Sequence, residues 1–324
     1  MFSLLLSVLF AAAPISDACK RTPYVGAISL NAETGDVLFE ENADAKAYLA
    51  SVTKLMTLLL VVEDVKAGKY GFDDMAVATR DVNYSEASWV GIKAGEKMAI
   101  RDLCTALMVE SANDAAIVLG VHASGSFEAF VARMNARAKE LGMTRTTYYN
   151  PNGLPPSEKR RYPWKSFNVS TARDQAMLAR VLVKMPEVLE LTSIKTCDLV
   201  KTPDGFRTSV TRRTNEPNRV TQVAEGERII TQLINHNNVM RMDKLKLFNP
   251  DGRETVDGLK TGYIDKGGSS IVLTGSRKGK RAIVVVLGSD SELDKKGRVV
   301  RKSSEVRDAN ARRLLVDALG ALVW

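Results

Sequence analysis

Ser51 and Lys54 stand three positions apart in "ASVTKLMT" (residues 50–57), a run that is otherwise apolar or small. On a helix such a pair shares one face. A serine hydroxyl is a weak nucleophile until a base removes its proton. Histidine is the familiar base, yet His122 falls in a helix-like run and His236 in "INHNNVM", and neither has a nucleophile-elbow setting. Both read as capping or core residues. A lysine can serve instead if its pKa falls from about 10.4 towards neutrality, a shift of ~3 units or ~4 kcal/mol that needs burial or a nearby second cation.

The chain supplies that cation. "VDGLKTGY" (256–263) puts Lys260, Thr261 and Gly262 just before a C-terminal hairpin. Lys-Thr-Gly on an edge strand offers a cation, a hydroxyl and a residue without a side chain, so that a ligand can lie against the backbone. "VESAND" adds Ser111 and Asn113, 60 residues after Ser51: a second hydroxyl to relay protons and an amide to hold a peptide group. Single motifs are weak. Ser-x-x-Lys occurs once, where roughly one chance match is expected in a chain this long. Tyr148-Tyr149-Asn150 and Ser166-Phe167-Asn168 also fit the Ser/Tyr-x-Asn pattern. Order and context carry more than any one piece.

The elements that must position these residues follow from periodicity. "YVGAISLNAETGDVLFEEN" reads as two alternating strands joined by a turn. Helical patterns cover residues 51 to about 68, "IRDLCTALMVE", "SFEAFVARMNARAKELGM" and "VSTARDQAMLARVLVKM", the last with Ser170 or Thr171 as cap. From residue 191 the character turns to strands and loops. "SSIVLTGSRKGKRAIVVVLGS" is a second hairpin, and "SSEVRDANARRLLVDALGALVW" is a closing helix. Strands at both ends with helices between them predict an α/β (α+β) fold: an antiparallel sheet of about five strands built from both chain ends, packed with helices, plus a mostly helical subdomain at about 65–170. "GLPPSEKRRYPWKS" (153–166) and "VTRRTNEPNRVTQVAEGER" (210–228) read as basic surface loops.

The 324 residues carry 46 Lys and Arg against 38 Asp and Glu, net +8, spread along the chain rather than blocked. This predicts a solvated basic surface suited to an anionic neighbourhood, not a nucleic-acid patch. "FSLLLSVLFAAAP" is too short to span a bilayer but fits the apolar core of a signal peptide, with residues 1–18 as the leader and 22–324 as one catalytic domain. Any membrane contact is expected through that segment. "SDAC" lacks the Leu that lipidation at Cys19 would call for. Three cysteines make no disulfide framework; Cys104 reads as core, and a Cys104–Cys197 bridge stays open. No metal site or cofactor is expected, since HExxH and Cys/His clusters are absent.

Taken together, "ASVTKLMT", "ESANDAA", "YNPNGL", "STARD" and "DGLKTGY" resemble, in order, the motifs of the penicillin-recognising serine enzymes, most closely the low-molecular-mass D-alanyl-D-alanine carboxypeptidases of the β-lactamase/transpeptidase-like superfamily. The resemblance covers about residues 22–324. It implies Ser51 as acylated nucleophile, Lys54 as general base and Ser111 as relay to the leaving D-alanine. Asn113 would bind substrate backbone, Lys260 would lower the Lys54 pKa and attract the terminal carboxylate, and Thr261 would hydrogen-bond it. Gly262 keeps the strand open, and backbone N–H groups of Ser51 and Tyr263 would form the oxyanion hole. "VRDANARRLL" resembles the entry of the family's closing helix, making Arg307 a carboxylate partner, and Asn150, Gly153 and Leu154 would shape the wall. The implied partners are peptidoglycan stem peptides and, as covalent inhibitors, β-lactams. The implied location is the periplasm or envelope of a bacterium.

The loops 155–167 and 207–230 look longer than that family's. The further β-rich domain and amphipathic anchor of many relatives are not expected here. A DD-endopeptidase shares every motif and is the alternative. A β-lactamase is disfavoured because no Glu-x-x-Leu-Asn segment follows. A non-catalytic β-lactam sensor is disfavoured because Lys54 and Ser111 are both present.

Overall fold

The structure is a computed structural model that describes residues 23–157, 162–210, 223–241 and 254–323. The expected leader with Cys19, residues 158–161 of the first basic loop and 211–222 of the second lie outside the described residues.

A hairpin from one end of the chain and three consecutive strands from the other build the main sheet. The first comprises β1 (Gly26–Asn31) and β2 (Val37–Glu41). A short sheet intervenes, formed by β3 (Thr196–Lys201), β4 (Phe206–Ser209) and β5 (Arg228–Ile234). The main sheet then gains β6 (Glu254–Ile264), β7 (Gly268–Arg277) and β8 (Lys280–Ser289). Its order is β6-β7-β8-β1-β2, antiparallel at every pairing. Gly26 faces Leu287 and Asn31 faces Ala282, so the first strand locks onto the last. The five-stranded antiparallel sheet expected from both chain ends is present.

The run "AIVVVL" in β8 is apolar throughout because both faces of the sheet are covered. Side chains alternate across the pleat. Val284 and Val286, with Ile271 and Leu273 of β7, pack beneath Ala311, Leu314, Leu315, Ala318 and Leu319 of the closing helix α8 (Ser303–Ala321). Ile283, Val285 and Leu287 turn the other way into the larger core. Each fully buried Val or Leu contributes about 1.5–3 kcal/mol, so a one-residue slip in register would forfeit both interfaces.

The helices are α1 (Lys54–Lys66), α2 (Ile100–Val109), α3 (Asn113–Ser124), α4 (Phe127–Glu140), α5 (Ala172–Leu182), α6 (Pro186–Thr192), α7 (Asn238–Arg241) and α8 (Ser303–Ala321). Of the two expected caps for α5, Thr171 performs the role: its hydroxyl accepts from the Asp174 N–H at 3.1 Å. α1 begins at Lys54, not at residue 51; residues Ala50–Thr53 form a tighter 3₁₀ turn.

The second basic loop is more ordered at its ends than expected. Phe206–Ser209 and Arg228–Ile234 are strands pairing on either side of β3. The first is anchored by aromatics: Tyr162 and Trp164 are buried and stacked, and Trp164 stacks in turn on Phe127 of α4. Cys104 and Cys197 are both buried and unpaired, so no bridge joins them.

Candidate active site

The turn carrying Ser51 is held between two glycines. Ala50 adopts φ +46°, a left-handed conformation that costs an L-residue of order 1–3 kcal/mol. Gly153, at φ +89°, lies against it so closely that a Cβ would stand 1.8 Å from the Ala50 carbonyl oxygen. On the opposite side Gly262 of the edge strand β6 packs on the same turn; a Cβ there would meet Leu49 O at 2.8 Å and Ser51 N at 3.1 Å. The glycine in Lys-Thr-Gly therefore lets the strand approach the Ser51 backbone.

The wall formed by "NPNGL" (150–154) is clamped onto α1. Thr57 Oγ1 donates to Pro151 O at 2.7 Å, and Asn168 Nδ2 reaches both Thr53 Oγ1 and Asn150 O at 2.9 Å. The Asn150 side chain closes its own loop, accepting from Gly153 N at 2.6 Å and donating to Leu154 O at 3.0 Å.

Lys54 is fully buried, and its Nζ has three neighbours: Ser51 Oγ at 2.9 Å, Asn113 Oδ1 at 2.7 Å and Asn152 O at 2.6 Å. Two of these are carbonyl oxygens, which can only accept. Asn113 is fixed in that orientation because its Nδ2 donates to Glu86 O at 2.5 Å. A neutral amine has two N–H donors and one lone pair. With both donors committed to carbonyls, the lone pair is left for the Ser51 hydroxyl. Burial pushes the Lys54 pKa well below its ordinary value, Lys260 adds to this, and Asp114 opposes it. The lowered pKa thus favours the neutral amine, and in that state the geometry leaves its lone pair for the Ser51 proton.

Lys260 is itself buried, its Nζ donating to Thr261 O at 3.1 Å. Burial, then the Arg307 guanidinium, lowers it to about 7, with Glu110 acting the other way. Arg307 is buried in α8 and paired with Asp308 at 2.6 Å, and Asp308 accepts from Asn238 of α7 at 3.3 Å. Thr261 is buried beside Lys260 on β6, while the Tyr263 side chain turns outward and donates to Asp265. Ser111 has φ +64°, and its buried Oγ has no hydrogen-bond partner among the described residues. It is an unengaged hydroxyl two residues from the amide that holds Lys54.

Ser51, Lys54 and Asn113 are thus directly joined, and Lys260 and Gly262 border them. Arg307 acts through its charge on Lys260. Sequence reasoning missed three contributors. The Asn152 carbonyl is a main-chain atom, invisible to any side-chain pattern. Asp114 accepts backbone N–H bonds from Val90, Gly91, Ile92 and Ala115 at 2.8–3.2 Å, pinning the segment 86–92 over the Ser111–Asn113 turn. Its acid follows Asn113 in "SAND", which was the available signal. Third, His236 sits half-exposed near the site, 4.0 Å from Glu110 Oε1, not in a core. Among the described residues no cluster of His, Cys, Asp and Glu could hold a metal ion.

A serine and a buried lysine at a helix start, bordered by the edge strand of a five-stranded antiparallel sheet, define the penicillin-binding class of serine enzymes. The chain belongs to the peptidase S11 family, described as D-alanyl-D-alanine carboxypeptidase, whose profile matches residues 25–291. It is 30% identical over 297 residues to D-alanyl-D-alanine carboxypeptidase DacC of Escherichia coli, covering 88% of this chain and 62% of that protein. It resembles the crystal structure of D-alanyl-D-alanine carboxypeptidase DacD from Francisella tularensis with a TM-score of 0.72 and 29% identity, over 94% of this chain and 72% of that one. Penicillin-binding protein D2 from Listeria monocytogenes, in its ampicillin-bound form, matches with a TM-score of 0.64 and 28% identity over 91% and 97% of the two chains. The chain spans about three fifths of the length of the curated relatives it matches.

Proposed function

We propose that this chain is a serine-type D-Ala-D-Ala carboxypeptidase that removes the terminal D-alanine from peptidoglycan stem pentapeptides through an acyl-enzyme on Ser51. The observation that carries the reading is the Lys54 amine, its two donors held by carbonyl oxygens and its remaining position on Ser51 Oγ at 2.9 Å. Lys54 takes the Ser51 proton as Oγ attacks the penultimate D-alanyl carbonyl. The backbone N–H groups of Ser51 and Tyr263 receive the developing oxyanion. The C–N bond then breaks, and Ser111 passes the proton to the departing D-alanine nitrogen. Water hydrolyses the ester and restores Ser51.

The substrate ends in a free carboxylate, and the site offers Lys260, Arg307 and the Thr261 hydroxyl beside Gly262. Asn113 holds the substrate backbone. A β-lactam pairs a carboxylate with a strained amide and would occupy the same place; the Listeria protein has been seen in an ampicillin-bound form. The substrate lies outside the cytoplasmic membrane of a bacterium, and the apolar run "FSLLLSVLFAAAP" supports export to that compartment.

The test is incubation of the purified protein with a muropeptide pentapeptide, fluorescent penicillin and a chromogenic β-lactam. D-Alanine release, with slow covalent labelling that disappears in Ser51→Ala, is expected. Rapid penicillin hydrolysis would instead indicate a β-lactamase, and labelling that survives Ser51→Ala would remove Ser51 from the mechanism.

A further inference from the structure

Ser166-Phe167-Asn168 fits the same pattern as Ser111-Ala112-Asn113 but has no part in the chemistry of Ser51 described so far. Its asparagine has another place. Asn168 is buried, and its side chain uses its full hydrogen-bonding capacity. Oδ1 accepts from Tyr149 N at 2.6 Å and Asn150 N at 3.2 Å, while Nδ2 donates to Thr53 Oγ1 and Asn150 O, both at 2.9 Å. An amide turned the other way would set N–H against N–H, so its orientation is fixed.

The main chain around it is equally constrained. Phe167 packs on the Tyr48 ring with centroids 4.4 Å apart, and Val169 pairs with both Tyr48 and Thr147. Leu49 N donates to Asn168 O at 3.1 Å. Leu49 and Thr53 flank Ser51 in the chain, one on each side. Asn168 therefore grips the nucleophile turn at both ends, and the same amide holds the wall at Tyr149 and Asn150.

That wall bears on the base. The lone pair of neutral Lys54 faces Ser51 while both N–H donors are held, and one holder is Asn152 O at 2.6 Å. A main-chain carbonyl has no rotamer of its own and goes where its loop goes. Asn150 Oδ1 accepts from Asn152 N at 3.3 Å and Gly153 N at 2.6 Å, so Asn150 passes its own placement on to that carbonyl. Thr57 also reaches the wall, through Pro151 O, but from further along α1.

We infer that Asn168 is a positioning residue for acylation: it ties the Ser51 turn to the wall, so that the Asn152 carbonyl stays on the Lys54 amine and the lone pair stays on Ser51. The inference rests on Ser51 as nucleophile and Lys54 as its base. Loss of the tie has two effects. The amine is free to turn, so proton transfer from Ser51 slows. A carbonyl also stabilises an ammonium more than a neutral amine, so losing it lowers the Lys54 pKa. The acidic limb of the acylation profile then moves to lower pH while the plateau falls, a combination that partial unfolding does not produce.

The test compares wild type, Asn168→Ala, Thr53→Val, their double variant and Asn135→Ala. Thr53→Val is nearly isosteric and removes only the turn's end of the tie. Asn135 is the matched control: its amide accepts from Tyr148 N and donates to Tyr148 O, each at 2.8 Å, next to the same wall. Acylation by fluorescent penicillin is followed across pH beside thermal unfolding. In Asn168→Ala and Thr53→Val the saturating acylation rate should fall roughly 10–10²-fold, with binding before acylation within about twofold. The acidic limb should move down by about half a unit. The double variant should be no slower than Asn168→Ala. Asn135→Ala should lower the melting temperature and leave the rate within about twofold. If Asn168→Ala does not fold, Thr53→Val against Asn135→Ala decides. Losses that track melting temperature through Asn135→Ala, an unmoved acidic limb, or additive losses in the double variant overturn the inference and leave the carboxypeptidase reading standing. A wild type without Ser51-dependent labelling overturns both.

Discussion

Lys54 Nζ and Asn113 Oδ1 lie 2.7 Å apart, although 59 residues separate them in the chain. This contact ties the start of α1 to the start of α3, and Asn113 is held in turn by Glu86 O and Ser88 O. The amide is neutral, which matters because it orients the amine while stabilising its charged form much less than a carboxylate would.

Asn113→Asp tests that point. A carboxylate at the same distance favours protonated Lys54 and raises its pKa by about 1–3 units. The acidic limb of the acylation profile should then move to higher pH. Acylation by fluorescent penicillin at pH 7 should fall roughly 10–10³-fold and recover as pH rises. A uniform loss at every pH would mean that Asn113 acts by shape alone.

Lys260→Met is expected to stabilise the fold while impairing acylation. The folded pKa of Lys260 is lowered to about 7 from 10.5, burial being the main cause. Above about 10.5 both folded and unfolded states are neutral there. As pH falls towards 7 the unfolded chain takes up the proton and the folded one does not, so the wild type loses stability; below 7 the penalty is constant. Replacing such a buried charge by an apolar side chain gains on the order of 1–4 kcal/mol. Urea unfolding should show the variant more stable at pH 7, with the gap closing by pH 10.5. The Lys54 pKa should rise at the same time, since Lys260 helps to lower it.

Gly262→Ala introduces a methyl 2.8 Å from Leu49 O and 3.1 Å from Ser51 N. The edge strand must move off the nucleophile turn by a few tenths of an ångström or more. Misplacement on the scale of 1 Å costs about 10²-fold, so the acylation rate should drop by up to that factor. The melting temperature should change little, because the rest of the β6–β7 register is untouched. Unaltered acylation kinetics would show that the close approach is not needed.

His236 is held neutral by partial burial and by its cationic neighbours, its pKa lowered to about 4. Its imidazole signals should show no titration between pH 5 and 8 by NMR, and His236→Gln should leave the pH profile of D-alanine release in that window unshifted. A midpoint near 6.5 would mean those cations do not reach it.

Much of this arrangement was legible because the chemistry sits in short side-chain patterns. Ser51 and Lys54 are joined as their spacing implied, and the apolar run of β8 forms one arm of the hairpin read from "SSIVLTGSRKGKRAIVVVLGS". What escaped depends on backbone placement. No pattern specifies that the third neighbour of Lys54 is the Asn152 carbonyl, or that Ser51 occupies a 3₁₀ turn entered through a left-handed Ala50. Asp114 was in plain view, but its four backbone donors come from a segment more than twenty residues away and from its own neighbour. The expected single helix from residue 51 failed for the same reason: packing against Gly153 and Gly262 outweighs helical propensity over that first turn.

The pairing of β1 with β8 has a consequence for biosynthesis. Gly26 finds Leu287 only after more than 250 further residues have been made, and Lys260 lies on β6, the strand just before that late hairpin. Closing so long a loop is entropically costly and slow. A ribosome-bound chain therefore carries Ser51 and Lys54 for most of its synthesis without the strand that completes the site around them. Ser51 and Lys54 are thus made early, while the edge strand that packs on their turn is made late.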